Sequence, residues 1–205
     1  AEQQAIAEAD SKFAFKKNQG YSENLEDSGK KFFEPMLAKE FDKSSKDLFK
    51  VRTFIQPKLD GIRCVSSNNE LISRNGKKFF ICDHLLQDKF LLDGELYNHE
   101  FKDNFNKIVS LVRKQKTDEE AIAESKKYVK HFVYDLPIAE KFSIRYEKLK
   151  EALAELNSSH YELVPTFEVK NMQEIEDYHC MFLEQGYEGS IVRLDLGPYD
   201  NKRSK

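Results

Sequence analysis

Short apolar segments separated by turn-forming dipeptides mark residues 53–80. Segments 53–56, 62–65 and 71–74 are rich in β-branched, aromatic and aliphatic side chains, a composition that favours strands. Asp60-Gly61 and Asn75-Gly76 are dipeptides that tight turns prefer, so we expect these segments to pair as hairpins. Further strands are predicted at residues 91–97, 131–136, 161–167 and 189–194.

Apolar residues at helical spacing predict three helices. Ser143 is a candidate cap for the second, while Asn171 with Glu174 resembles a capping box at the start of the third, which Gly186 would close. The predicted apolar stripes consist of Phe105, Ile108, Val109 and Val112; of Tyr146, Leu149, Leu153 and Leu156; and of Ile175, Tyr178, His179, Phe182 and Leu183.

Strands and helices are interspersed without a regular β-α-β alternation, which predicts an α+β fold with mainly antiparallel sheets. Residues 1–31 are mostly polar, and we predict a short helix and a linker there. Dense apolar sequence begins at residue 32, so residues 32–205 are predicted to form one globular domain. The chain starts at Ala1 and stops at Lys205 within a basic stretch, and both ends suggest a fragment of a longer protein.

The composition narrows the class of protein. Of 205 residues, 40% are hydrophobic and 34% charged, and the net charge of -3 provides no overall basic footprint for nucleic acid, so DNA binding would need a local patch. The chain has neither an apolar run that could cross a bilayer nor a signal peptide, and we expect an intracellular, cytoplasmic protein. Cys64, Cys82 and Cys180 are far apart and indicate reduced thiols rather than a zinc site.

Lys58 is the candidate nucleophile. It lies at the end of a predicted strand directly before Asp60-Gly61, where the backbone would fix its position. A sheet wall with neighbouring cations would lower the pKa of Lys58 toward that of a nucleophilic amine, and Arg63 would return on the next strand to face the same pocket. A lysine in an isolated motif of this kind is more often a solvated surface residue, so the other motifs decide the interpretation.

The segment QPKLDGIR at 56–63 resembles the Lys-x-Asp-Gly-x-Arg signature of the covalent nucleotidyltransferase superfamily, which comprises ATP-dependent DNA ligases, RNA ligases and messenger-RNA capping enzymes. Four more segments resemble the other signatures of that superfamily in the expected order. They are SRNG at 73–76, DGEL at 93–96, FVYD at 132–135 and EGSIVR at 188–193. Together with PMLA at 35–38, the first motif is most similar to phage and viral DNA ligases.

This resemblance implies a nucleotidyltransferase (ATP-grasp-like) fold, with a nucleotide cleft between antiparallel sheets that are flanked by helices. It also implies that Lys58 takes AMP from ATP as a covalent lysyl-AMP. By the same resemblance, Tyr134 stacks on adenine and Ile191 closes the opposite face, Gln56 reads the adenine amino group, and Leu59 lies against the nucleotide. Core packing is the alternative interpretation of an aromatic residue such as Tyr134.

The resemblance further implies that Glu95 contacts the ribose and the metal environment, and that Glu188 helps to hold Mg²⁺ or Mn²⁺. Arg63 and Arg74 are candidates for phosphate contacts, because a guanidinium can fork onto phosphate oxygens. In ligases these two positions lie near the nick, so the implied ligands are the DNA 5′-phosphate as well as AMP. Each of these four side chains could instead be a solvated surface group.

The implied protein is a monomeric DNA ligase that acts on nicked double-stranded DNA and does not contact a membrane. The final lysine motif of the superfamily and its oligonucleotide-binding barrel would follow residue 205, so we expect this chain to be incomplete for ligation. Two alternatives remain open at this point. The chain could be the core of an RNA ligase or a capping guanylyltransferase, or a module that binds nucleotide or DNA without full ligation activity.

Overall fold

A computed structural model describes Lys12 and residues 33–45, 48–114 and 118–201. The helix and linker predicted at 1–31 therefore lie outside the described residues, except for Lys12. The strands are β1 Thr53–Lys58, β2 Ile62–Ser67, β3 Glu70–Ser73, β4 Leu92–Tyr97, β5 Lys130–Asp135, β6 Tyr161–Leu163, β7 Phe167–Val169 and β8 Gly189–Leu194. The helices are α1 Phe105–Val112, α2 Glu119–Tyr128, α3 Phe142–Leu156 and α4 Met172–Glu184, with short 3-10 helices at Asp83–Leu85 and His99–Phe101.

The strands form two sheets. One has the order β7-β1-β8 and is antiparallel, and the other has the order β3-β2-β4-β5-β6. Within the larger sheet β5 and β6 run parallel, whereas the other pairs are antiparallel. The predicted α+β fold with mainly antiparallel sheets is confirmed. Within the part of the chain that the structure describes, no helix is long and apolar enough to span a bilayer.

The turns differ from the prediction at one position. Asp60-Gly61 does not close a hairpin, because β1 belongs to the three-stranded sheet and β2 to the five-stranded sheet. The β2–β3 hairpin turns instead at Asn68 and Asn69, whose φ angles of 49° and 57° are the left-handed values that a two-residue hairpin turn requires. The second predicted turn is present around Gly76, at φ 77°.

The single strand predicted at 161–167 is wrong, because the segment contributes one short strand to each sheet. Tyr161–Leu163 pairs with β5 in the larger sheet, and Phe167–Val169 pairs with β1 in the smaller one. Pro165 lies between them, and proline has no N–H to donate to a sheet ladder. The chain thus passes from one sheet to the other at this proline.

Each sheet packs its helices on one face. The five-stranded sheet forms the larger core with α1, α2 and α3, through buried residues such as Leu96, Ile108 and Leu149. The three-stranded sheet packs on α4, where Ile55 lies against Ile175 and Phe182. The opposite faces of both sheets are therefore left to form the cleft described below.

The structure contains one helix that the sequence pattern missed, and it corrects one predicted helix cap. The sequence pattern did not predict α2, because most of its residues are polar and only Ala121 and Ser125 among them are buried. Ser143 does not cap α3, since the N-cap is Lys141 and makes no side-chain hydrogen bond. The Ser143 N–H and hydroxyl instead donate to the carboxylate of Asp195, at 2.7 and 3.0 Å.

Helix α4 starts as predicted. The Asn171 side chain accepts a hydrogen bond from the Glu174 N–H at 2.9 Å, which satisfies one of the free donors of the first turn. The predicted apolar stripe is narrower than expected, because His179 and Leu183 are exposed while Ile175 and Phe182 are buried.

Candidate active site

A cleft of about 2650 Å³ is lined by strands of both sheets. Residues from the ends of β1, β2 and β4 contribute to it, as do β5 and the segment that enters β8. The structure brings to this cleft every residue that the sequence singled out, namely Gln56, Lys58, Leu59, Arg63, Arg74, Glu95, Tyr134, Glu188 and Ile191.

Strand alternation explains why Gln56 and Lys58 reach the cleft. Side chains of a strand point alternately to the two faces of its sheet, and Ile55 is buried on the face that packs against α4. Gln56 and Lys58 are one and three positions from Ile55, so they belong to the opposite face, which borders the cleft. Ile191 pairs with Gln56 across the β1–β8 ladder, so it shares that face and is half-buried beside the cleft.

Lys58 and Glu188 form the polar centre of the cleft. The Glu188 N–H donates to the Lys58 carbonyl at 3.1 Å, and this backbone contact brings the two side chains together at the start of β8. Nζ of Lys58 forms an ion pair with Oε1 of Glu188. The two side chains are 42% and 45% exposed, so a ligand in the cleft can reach the amine.

Glu95 enters the cleft from β4, next to Gly61. A Cβ atom at Gly61 would lie 2.9 Å from the Leu96 carbonyl oxygen and 3.2 Å from Oε2 of Glu95, so only glycine fits this approach. Burial raises the pKa of Glu95 to about 8, although the positive charges of Arg63 and Lys58 act in the opposite direction. A carboxyl group with this pKa gains or loses its proton within the neutral range.

Arg63 is held by a buried carboxylate. Its Nε and Nη2 donate to the two oxygens of Asp93 at 2.7 and 2.6 Å, and Nη2 also donates to the Met36 carbonyl at 2.8 Å. The guanidinium carbon lies 5.0 Å from the centre of the Tyr134 ring. Only the Nη1 group of Arg63 has no bond to a described residue, so it is the part of this guanidinium that a phosphate could use.

Gln56 is fixed by three partners. Its Nε2 donates to Thr166 Oγ1 at 2.8 Å and to the Tyr134 carbonyl at 3.3 Å, while its Oε1 accepts from Arg193 Nε at 3.0 Å. One lone pair of Oε1 is then left for a ligand, because an amide oxygen accepts two hydrogen bonds. The guanidinium carbon of Arg193 lies 5.4 Å from the centre of the Tyr134 ring.

The remaining candidates differ in their surroundings. Tyr134 is buried and packs with Leu59, Tyr97 and Val164, so Leu59 supports the ring from within the protein. Arg74 follows the end of β3 and is exposed on the rim of the cleft.

The carboxylates of the cleft suit a metal ion that arrives with a nucleotide. Within the described ranges, no group of three or more His, Cys, Asp and Glu side chains is arranged to hold a metal by itself. Glu95 and Glu188 are two carboxylates, and Mg²⁺ commonly uses one or two of these together with phosphate oxygens and water. The donor set therefore fits Mg²⁺ or Mn²⁺ only when a phosphate supplies further oxygens.

Several charged residues of the site were not recognised as such from the sequence. Asp135 is fully buried and pairs with Arg145 at 2.7 Å and with Arg193 at 3.0 Å. Asp93 and Tyr199 complete the surroundings of Arg63. The available signal was a charge inside an apolar strand segment, since Asp93, Asp135 and Arg193 all lie within the motifs quoted above.

The fold is similar to that of DNA ligases, and three solved structures show the likeness. A Lig E DNA ligase aligns with a TM-score of 0.69 and 22% identity over 85% of this chain and 67% of its own. The Chlorella virus DNA ligase-adenylate aligns with a TM-score of 0.64 and 21% identity over 85% of this chain and 66% of its own. The ATP-dependent DNA ligase from bacteriophage T7, in complex with ATP, aligns with a TM-score of 0.67 and 20% identity over 84% of this chain and 66% of its own.

The chain belongs to the family described as ATP dependent DNA ligase domain, whose sequence profile matches residues 35–205. It is similar to the DNA ligase of Haemophilus influenzae, with 26% identity over 189 residues that cover 85% of this chain and 68% of the relative. The DNA ligase of African swine fever virus (strain Badajoz 1971 Vero-adapted) is 29% identical over 192 residues, 81% of this chain and 42% of the relative. The chain thus spans about two thirds of one relative and less than half of the other.

Proposed function

We propose that Lys58 takes AMP from ATP as a covalent lysyl-AMP, and that this AMP is then passed to the 5′-phosphate of nicked DNA. The observation that carries the proposal is the Lys58–Glu188 pair at the cleft, with Glu95 and Tyr134 lining the same space. This is the reaction expected of a member of the ATP-dependent DNA ligase domain family. In the last step of ligation, the 3′-hydroxyl of the nick would displace AMP and seal the strand.

The first step is a displacement at the α-phosphate of ATP. The neutral amine of Lys58 attacks phosphorus, an N–P bond forms, and the bond to the bridging oxygen breaks, so that pyrophosphate leaves with the electron pair. Lys58 loses a proton to solvent to become the attacking amine, and its side chain is 42% exposed. The other side chains contribute placement and electrostatic stabilisation.

Tyr134 and Ile191 are proposed to hold the adenine, and Gln56 to accept a hydrogen bond from its amino group. Tyr134 and Ile191 both line the cleft, one from each sheet, which supports a base held between them. The free lone pair of Gln56 Oε1 suits the amino group of adenine, which donates a hydrogen bond. Leu59 is proposed to support the Tyr134 ring from behind, since the two side chains pack in the same buried cluster.

Glu95 and Glu188 are proposed to hold Mg²⁺ or Mn²⁺ together with phosphate oxygens. Such an ion would offset the negative charge of the leaving pyrophosphate. Glu95 would also contact the ribose. Burial raises the pKa of Glu95 to about 8, so a cation would displace a proton from this carboxyl group when it binds at neutral pH.

Arg63 and Arg74 are proposed to contact phosphates, first of the nucleotide and then of the nicked double-stranded DNA. Arg63 has its Nη1 group for this purpose, and Arg74 is exposed at the rim. A guanidinium remains charged throughout the neutral range and can fork onto phosphate oxygens.

Lys58→Ala tests the first step. We expect incubation of the wild-type chain with ATP and Mg²⁺ to add the mass of one AMP residue, and the variant to add none, because alanine has no amine. Intact-mass spectrometry measures the adduct. Lys130→Ala is the matched control, since Lys130 is 43% exposed and pairs with Glu162 outside the cleft. An adduct of equal amount in Lys58→Ala would refute the assignment.

Labelled nucleotides and DNA test the specificity. We expect label from α-labelled ATP to be retained and label from GTP not to be, because the site is proposed to read the adenine amino group. Retention from GTP alone would overturn the ligase assignment in favour of a capping guanylyltransferase. Transfer of the label to a 5′-phosphorylated nick in DNA, and not to the same nick in RNA, would support the proposed acceptor.

A further inference from the structure

Tyr199 places a hydroxyl group inside the site although it lies outside the motifs described above. It follows β8 and is buried, with 8% of its surface exposed. Its hydroxyl donates to Asp93 Oδ2 at 2.6 Å and accepts from the Met36 N–H at 2.7 Å. One hydroxyl therefore joins three parts of the chain that are far apart in sequence.

These contacts close a ring around Arg63. Arg63 donates to both oxygens of Asp93 and to the carbonyl of Met36, while Tyr199 contacts the same carboxylate and the N–H of the same methionine. The acceptors that orient the guanidinium are thus themselves held by Tyr199. Hydrogen bonds connected in this way reinforce one another and restrict the directions that each member can take.

We propose that Tyr199 is a positioning residue for adenylation, which holds Asp93 and Met36 so that the Arg63 guanidinium faces the cleft beside Tyr134. This inference rests on the proposed function of the cleft. Tyr199 does not touch the reacting atoms and acts through Arg63. Without its hydroxyl, Asp93 and the Met36 N–H each lose a partner, and the guanidinium loses the fixed direction in which Nη1 meets a phosphate.

The aromatic ring of Tyr199 has separate contacts. It lies 5.8 Å from the ring of Phe33 and 5.7 Å from the guanidinium carbon of Arg145. Phenylalanine keeps these contacts, so Tyr199→Phe removes the hydroxyl group and leaves the packing. The variant therefore separates the proposed positioning role from a role of the ring in the core.

The kinetic test compares Tyr199→Phe with the wild-type chain. We expect kcat for covalent AMP attachment to fall about tenfold, the effect of losing one hydrogen bond to a charged group from the reacting arrangement. KM for ATP should change by less than about twofold, because Arg63 is misdirected rather than removed. An unchanged kcat in Tyr199→Phe, with an active wild type, would overturn the inference and leave the proposed function standing.

Tyr161→Phe is the matched control. Tyr161 is similarly buried and donates to the Leu85 carbonyl on the other side of the five-stranded sheet. We expect it to lower the melting temperature about as much as Tyr199→Phe while kcat stays at the wild-type value. A double variant tests whether Tyr199 and Asp93 act through the same residue. We expect Tyr199→Phe to lower kcat less in the Asp93→Asn background than in the wild-type background, since both residues act through Arg63. Two results would contradict the positioning role of Tyr199. One is a kcat loss in Tyr161→Phe equal to that in Tyr199→Phe, and the other is an undiminished effect of Tyr199→Phe in the Asp93→Asn background.

A measurement without nucleotide keeps the inference testable if the wild-type chain forms no adduct. In ¹⁵N NMR spectra the Nε–H signal of Arg63 can be assigned as the one lost in Arg63→Lys. We expect its hydrogen exchange to be about tenfold faster in Tyr199→Phe than in the wild type and in Tyr161→Phe. Equal exchange in all three would refute the inference, whereas absent adenylation with the expected exchange would count against the proposed function alone.

Discussion

Glu95 shows how the position of one side chain can set the pH response of the site. Burial raises the pKa of Glu95, and the charges of Asp93 and Glu188 act in the same direction, whereas Arg63 and Lys58 act against it. The neighbouring Gly61 lets the carboxylate approach the turn after Lys58. The folded protein therefore holds a proton at Glu95 that an unfolded chain would release near the ordinary value of 4.5.

Glu95→Gln is predicted to stabilise the folded protein more at high pH than at low pH. Between 4.5 and about 8 the folded state binds more protons at this position, so the contribution of Glu95 to the free energy of unfolding falls as the pH rises. We expect the gain from the substitution to be on the order of 2 kcal/mol larger at about pH 9 than at about pH 4, after discounting for partial exposure. Urea unfolding at the two pH values measures it.

A surface glutamate supplies the control for this pH dependence. Glu162 pairs with Lys130 and is 44% exposed, so we expect Glu162→Gln to follow the wild type across the same range. Parallel stability curves for Glu95→Gln and the wild type would show that the pKa of Glu95 in the folded state is ordinary.

At the scale of the element, helix α3 takes its N-terminal hydrogen bonds from a distant residue. Asp195, just after β8, accepts from the N–H and the hydroxyl of Ser143 in the first turn of the helix. Burial acts to raise the pKa of Asp195, but these hydrogen bonds and the nearby Lys141 outweigh it, so the pKa lies below its ordinary value. The carboxylate thus does the work of an N-cap side chain and joins the helix to the smaller sheet.

Asp195→Ala is predicted to lower the free energy of unfolding by about 1 kcal/mol at neutral pH, the usual cost of losing a helix cap. Because the pKa of Asp195 is depressed in the folded state, its stabilisation is complete above its ordinary value of 3.8 and is lost as the pH falls through the lower folded value. The difference between variant and wild type should therefore shrink in strongly acidic solution. Chemical unfolding at neutral pH and at about pH 2 measures both.

Ser143→Ala separates the two hydrogen bonds of this cap. The variant keeps the backbone N–H that donates to Asp195 and loses only the hydroxyl, so its loss of stability should be smaller than that of Asp195→Ala. An equal or larger loss would show that the hydroxyl, and not the backbone contact, stabilises the start of α3.

The elements that the sequence predicted well carry strong local signals. Residues 189–194 were predicted as a strand and form β8, and the start of α4 at Asn171 follows its capping pattern. The elements that were missed or misdrawn lack such signals: α2 buries only two small residues, and the hairpin turn at Asn68 and Asn69 has no glycine. Local patterns reveal an element only when its burial is one-sided or its turn chemistry is distinctive.

At the scale of the whole molecule, a buried ionic network connects the two sheets. Asp135 of β5 pairs with Arg145 of α3 and with Arg193 of β8, and Arg193 also donates to Gln56 of β1. Asp135 and Arg145 are 0% and 3% exposed. A buried carboxylate that loses a partner is costly, because its remaining charge stays away from water.

Arg145→Met is predicted to lower the free energy of unfolding by about 3 kcal/mol, since the buried Asp135 loses the partner that contacts both of its oxygens. Urea unfolding measures the change. Arg52→Met is the control, because Arg52 and Glu168 form an ion pair whose side chains are 53% and 39% exposed. An exposed pair of this kind contributes less than about 1 kcal/mol, so similar losses in the two variants would contradict the importance of burial.

The sequence by itself determined the α+β class, most of the strands and the motifs that contain Lys58, Glu95 and Glu188. Each of these depends on residues that are close together along the chain. The tertiary structure alone decided that β1 and β2 belong to different sheets, that Gln56 bonds to Arg193 and that Asp93 bonds to Tyr199. These partners are 137 and 106 residues apart, and such contacts depend on how the chain packs rather than on any local pattern.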